Sequence, residues 1–189
     1  MKSGTGVLLL FFLLNLCSIS AQNEINFKHK ALLKELQKAG VTDFSAIQEI
    51  VLSDTIYRAG RLNGKYFLIN GSNLSQYRFI YVGRVNSCRA GGCSVSEDLS
   101  ESDNSEFFDY FILFDKSKTI KLIKIIDYQA THGHEITAKG WLKQFVGYNG
   151  SEQLQVNKNI DAISGATISV NAITFDVETK TALLKKIRL

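Results

Sequence analysis

FFDYFILFDKSKTIKLIKII, residues 107–126, is the stretch from which the fold is read. Two runs rich in aromatic and β-branched residues, Phe107 to Phe114 and Thr119 to Ile126, flank the polar tetrapeptide Asp115-Lys116-Ser117-Lys118. Such runs read as strands, and the insert between them as a hairpin connection. In the second run Ile120 and Leu122 alternate with lysines, the period of two that burial of one sheet face imposes. Antiparallel sheet is therefore expected in the middle of the chain.

Working outward, Thr55 to Ala59, Tyr66 to Ile69 and Arg78 to Val85 have the same composition, and Asn63-Gly64 is a hairpin turn signal. Ahead of them the period changes. From Ile25 to Ala39, Phe27, Leu32, Leu33 and Leu36 recur at helical spacing, and Gly40 follows as a C-terminal cap. A second short helix is expected from Thr42 or Asp43, carrying Phe44, Ile47, Ile50 and Val51. The last element spans about Ile168 to Ile187, with Ile173, Val177, Leu184 and Ile187 on one face and Lys185, Lys186 and Arg188 at the negative end of its dipole. The fold class is α+β: an antiparallel sheet with N-terminal helices and a C-terminal helix.

Composition bounds the function. The 189 residues are 45% hydrophobic and 21% charged, which fits one globular domain and excludes a disordered or multispanning chain. A net charge of +4 without a basic block gives no reason to expect nucleic acid as a partner, and the absence of proline removes collagen-like and proline-rich classes. Lys2, the apolar run from Val7 to Leu14 and the small residues Ser18-Ile19-Ser20-Ala21 form an export signal, so residues 1–21 are expected to be removed and 22–189 to be the single mature domain. The apolar run is too short for the ~20 residues that span a bilayer. Cys17 is an alternative lipid-attachment site, although Leu16 stands before it where a small residue is usual. The location expected is the periplasm or outer cell envelope.

An exported chain keeps Cys88 and Cys93, in Cys88-Arg-Ala-Gly-Gly-Cys93, and the compartment favours a local disulfide between them. A thiol pair exchanging electrons with a cofactor is the alternative. Zinc lacks a second ligand pair. The segment from Ser94 to Glu106 carries Glu97, Asp98, Glu101, Asp103 and Glu106 with one large aliphatic residue, and reads as a solvated loop without the offsets of a calcium site. No metal is assigned.

The chemistry is expected at Asp161-Ala-Ile-Ser164-Gly165-Ala166-Thr167-Ile-Ser169, immediately before the last helix. Small residues crowd the turn, Ser164, Thr167 and Ser169 offer hydroxyls, and a helix N-terminus offers unpaired N–H groups suited to phosphate. Residue chemistry alone favours the plainer reading, in which Ser164 or Thr167 is merely an N-cap.

Asp161 to Thr167 matches the D-x-x-S-G-A-T pattern of FMN-binding domains, which occur in the covalently flavinylated subunits of sodium-pumping NADH:quinone reductase and the Rnf complex. Tyr128 to Gly147 also resembles that family, with Trp141, Phe145 and Gly147 at its W-x-x-x-F-x-G spacing. The chain looks like a small secreted bacterial member. The resemblance implies FMN esterified through its phosphate to the Thr167 hydroxyl by a flavin transferase that consumes FAD and needs magnesium. It further implies a membrane or periplasmic electron-transfer partner. Where family members often carry E-T-P-G before the tryptophan, this chain has Thr131-His132-Gly133-His134-Glu135.

A tethered flavin ring is held by its neighbours, so Trp141, Tyr128 and Tyr148 are candidates for stacking. His132 and His134 are candidates to contact ring carbonyls or take a proton, against the plain alternative of surface histidines. Nothing resembling an acid–base pair or nucleophile constellation stands out. An electron carrier is thus expected rather than a full enzyme, with a reductase as a variant. The competing reading is a secreted binding or structural domain in which Thr167 only caps a helix.

Overall fold

The computed structural model describes residues 24–53, 55, 58, 60–71, 76–87 and 106–188. The export segment, Cys17, the Cys88 and Cys93 pair, and Glu97, Asp98, Glu101 and Asp103 lie outside the described residues.

Phe107–Phe114 forms β4, and its side chains are buried on both faces. Phe108, Tyr110, Ile112 and Phe114 point into one core and Phe111 and Leu113 into another. Its apolar run, interrupted by Asp109, which is buried and ion-paired with Arg84 at 2.7 Å, is what a strand covered on both sides requires. The other strands are β1 (Ile47–Glu49), β2 (Gly64–Ile69), β3 (Phe79–Asn86) and β5 (Ile120–Tyr128). They make one antiparallel meander in the order β1-β2-β3-β4-β5. Helix α1 (Lys30–Lys38) buries Leu32 and Leu36 in the core that holds Phe111 and Leu113. The long helix α3 (Thr167–Lys186) buries Val170, Ile173, Val177 and Leu184 in the core on the opposite face. Between β5 and α3 stand a 3₁₀ turn at His134–Thr137, the short helix α2 (Lys139–Leu142) and a 3₁₀ turn at Lys143–Phe145.

The β4–β5 hairpin and α3 stand where the sequence puts them. Asp115 closes the hairpin, its carboxylate accepting from Ser117 N at 2.8 Å and Thr119 N at 3.0 Å. Other expectations are corrected. Ile120 and Leu122 do not share a face. A register shift between Leu113 and Phe114 puts Ile120 in the α3-side core and Leu122 against the α1-side core, because a bulged residue reverses the alternation. The N-terminal helix starts at Lys30, not Ile25: His29 caps it through Nδ1, and Phe27 packs before it on Phe67. The second helix from Thr42 is only a 3₁₀ turn, Phe44–Ala46, after which Ile47–Glu49 pairs with β2. Cross-strand pairing outweighs a weak helical period there.

Thr55 and Arg58, read as strand, are helical. Asn63-Gly64 is no hairpin turn, because Gly64 opens β2 and faces Gly83 of β3. A Cβ at Gly83 would lie 2.2 Å from the Tyr81 hydroxyl, so the glycine is kept by the phenol lying over it.

Candidate functional site

The antiparallel order brings the end of β3, the start of β4 and the end of β5 to one end of the sheet, where Asn86 pairs Phe107 and Phe108 pairs Tyr128. The N-terminus of α3 packs at the same end. Between them lies a cleft of about 230 Å³ lined by Ser87, Glu106, His132, Gly165, Ala166, Thr167, Ile168 and Ser169.

Ala166 is the N-cap of α3, and no side chain caps the helix. The first backbone bond runs from Val170 N to Ala166 O at 2.9 Å, so the amides of Thr167, Ile168 and Ser169 have no partner within the helix. The N-cap alternative for Ser164 and Thr167 is thereby corrected: neither hydroxyl closes the helix, and both residues are exposed. Gly165 has φ +80°, and the space a side chain would take is open.

Ser169 is different in kind from Thr167. It is buried, with its hydroxyl 3.2 Å from both Ser87 Oγ and Tyr128 Oη. Tyr128 donates its one proton to the His132 carbonyl, so Ser169 donates to Tyr128, and Ser87 in turn to Ser169. This directed chain ties the ends of two strands, β3 and β5, to α3 and keeps the Ser169 hydroxyl engaged and buried. Burial raises the Tyr128 phenol above its ordinary value, partly offset by the Ser169 bond.

The loop between β5 and α2 is held against this network. Gly133 is buried with φ +83°, and a Cβ there would sit 2.6 Å from Ser169 Oγ. Only glycine permits that approach. The same loop brings Thr131 Oγ1 to 2.6 Å from Glu106 Oε1 and 3.0 Å from His132 Nδ1. Glu106, Ser87 and Gly133 were missed as site residues by sequence reasoning. Glu106 belongs to the cleft wall and is buried, not part of a solvated loop. Its position directly before the β4 run was the available signal.

Of the expected site residues, Thr167, Gly165, Ala166, Ser169 and His132 share the cleft. Ser164 lies in the exposed turn before Gly165. His134 is outside the lining, its ring edge-on to Tyr128 at 5.3 Å. Trp141 is also outside it and braces the turn instead: its indole N–H donates to Asp161 O at 2.9 Å while Gln144 Oε1 accepts from Asp161 N at 2.7 Å. Its ring meets Phe145 edge-on at 5.4 Å. Tyr148 is buried, donating to Glu152 O at 3.0 Å.

The donor set fits a phosphate ester. Uncapped amides, the open space beside Gly165 and an exposed hydroxyl converge on one mouth. The cleft is below the ~300–1,000 Å³ of a site that encloses its ligand, so a ring lodged between the described residues would keep part of its surface exposed.

Residues 106–179 match the model of a family described as FMN-binding domain. No curated protein matches the chain.

Proposed function

We propose, for a protein whose residues 106–179 are an FMN-binding domain, that FMN is attached through a phosphoester to Thr167 and carries electrons outside the cytoplasm. The observation that supports attachment most directly is the contrast between two hydroxyls on one helical turn: Thr167 is exposed at the cleft, and Ser169 is locked in a buried network. A bound flavin supplies reversible one- and two-electron chemistry. The chain's own groups would hold it: the α3 amides would serve the phosphate, Gly165 would leave room, and Ser87, Glu106 and His132 would line the space left for the ring. Trp141 and Gln144 fix the backbone of Asp161 and so the approach of the turn.

A carrier reading is supported by the small, open cleft, which would leave part of a bound ring accessible to a partner redox protein of the membrane or periplasm. Export rests on the N-terminal signal pattern. Attachment calls for a flavin transferase using FAD and magnesium.

Coexpression with such a transferase tests the reading. The expected product is yellow, fluoresces in a denaturing gel, and gains the mass of one FMN less one water. Thr167→Ala abolishes the gain, Ser169→Ala retains it, and Asp161→Asn lowers it. Colourless, unmodified wild type overturns the proposal, as does full modification of Thr167→Ala.

A further inference from the structure

We propose that Glu106, Thr131 and His132 form a proton relay serving the flavin held at Thr167, an inference that rests on that anchoring. The geometry fixes the direction. Thr131 has one hydroxyl proton, and at 2.6 Å from Glu106 Oε1 it gives that proton to the carboxylate. The contact at 3.0 Å between Thr131 Oγ1 and His132 Nδ1 then requires the proton to be on Nδ1. Nε2 is left as the ring nitrogen free to take up or give a proton. The imidazole is at the cleft with Glu106, while its backbone carbonyl is pinned by Tyr128 and the next residue, Gly133, is pressed on Ser169.

Reduction of an isoalloxazine by two electrons takes up protons, and the electrons come from the partner redox protein. With flavin bound, imidazolium Nε2 would supply a proton to the reduced ring. His132 is left neutral with Nδ1–H, the tautomer Thr131 selects. Water reprotonates Nε2, and oxidation runs the transfer in reverse. His132 is the exchanging group, and Thr131 and Glu106 are positioning residues. The described ionisable groups around it are Glu106, immediately before β4, and Tyr128 from β5, with His134 and Glu135 of the 3₁₀ turn beside Tyr128. Asp161 is exposed in the turn before α3, and α3 itself adds no ionisable side chain before Asp176, only the positive end of its dipole.

Two measurements test the relay. In flavin-free protein, nitrogen NMR of His132 should show the Nδ1–H tautomer, and Thr131→Val should shift it toward Nε2–H. In flavin-loaded protein on an electrode, which supplies the electrons directly, His132→Ala should slow proton-coupled interconversion about tenfold or more, and added imidazole should restore the rate. A purely structural role would not be rescued by imidazole. Wild type that takes up no flavin overturns the anchoring and the relay together. A loaded His132→Ala protein with an undiminished rate, or an Nε2–H tautomer in wild type, overturns the relay alone.

Discussion

Two contacts at single residues decide whether the cleft exists. Gly133 combines a left-handed backbone with van der Waals contact to Ser169, so Gly133→Ala meets both a conformational penalty and an oxygen at 2.6 Å. The expected cost is about 1–3 kcal/mol in urea unfolding, with a fall in flavin incorporation, because relief requires the loop to lift off α3. Stability within experimental error of wild type would mean the loop is not held as described. Trp141 acts outside the cleft lining, on the turn that leads into α3. Trp141→Phe keeps the edge contact with Phe145 but removes the donor to the Asp161 carbonyl, and about 1 kcal/mol is expected to be lost. Incorporation measured by intact mass should fall with it, since the turn loses one of its two backbone ties. A stability loss with full incorporation would restrict Trp141 to a packing role.

At the scale of elements, α3 carries the site at its first turn and is anchored by an ionic cluster two-thirds of the way along. Lys180 is buried, its Nζ 2.9 Å from Asp176 Oδ1 and 3.0 Å from both Gly60 O and Arg61 O. Tyr110 donates to Asp176 at 2.5 Å, and Tyr66 donates to the Lys180 carbonyl at 2.7 Å. Lys180→Met should cost about 3–5 kcal/mol, because it leaves the Asp176 carboxylate without its cation and two carbonyls without a donor. Lys180→Met with Asp176→Leu should recover much of that loss in thermal or urea unfolding; no recovery would argue against the ion pair as the cause. None of this was legible in the sequence. Ile173, Val177 and Leu184 announced the buried face of α3 by their spacing, whereas Lys180 on the same face reads as solvated, since a lysine's burial depends on carbonyls 119 and 120 residues away. The same reason explains the other gaps. Residues 107–126 and the turn before α3 are local patterns and were readable, but Ile47–Glu49 became a strand only through β2, and Glu106 and Gly133 became site residues only through Thr131 and Ser169.

Over the whole molecule, one sheet separates two cores, and the larger one is built on tyrosine phenols as well as aliphatic side chains. Tyr66, Tyr81 and Tyr110 pack ring to ring behind α3, at centroid distances of 4.8 and 5.7 Å. Burial, with Asp176 nearby, pushes the Tyr66 and Tyr110 hydroxyls well above the ordinary phenol value, and burial also raises Tyr128. Burial pushes Tyr148 up to about 12. An unfolded chain releases these protons near pH 10, whereas the folded chain retains them to higher pH. Above that point the native state binds more protons than the unfolded one, so stability falls as pH rises. The contribution is complete below pH 10 and, for Tyr148, is lost across roughly pH 10 to 12. Urea midpoints should therefore decline steadily over that window, and the ultraviolet tyrosinate signal should appear together with loss of structure instead of before it. Tyr148→Phe should flatten the decline, because it removes one of the protons whose release drives unfolding while keeping the buried ring. A tyrosinate signal that develops fully in protein still folded would show that these phenols are open to solvent, and the buried polar frame behind α3 would have to be abandoned.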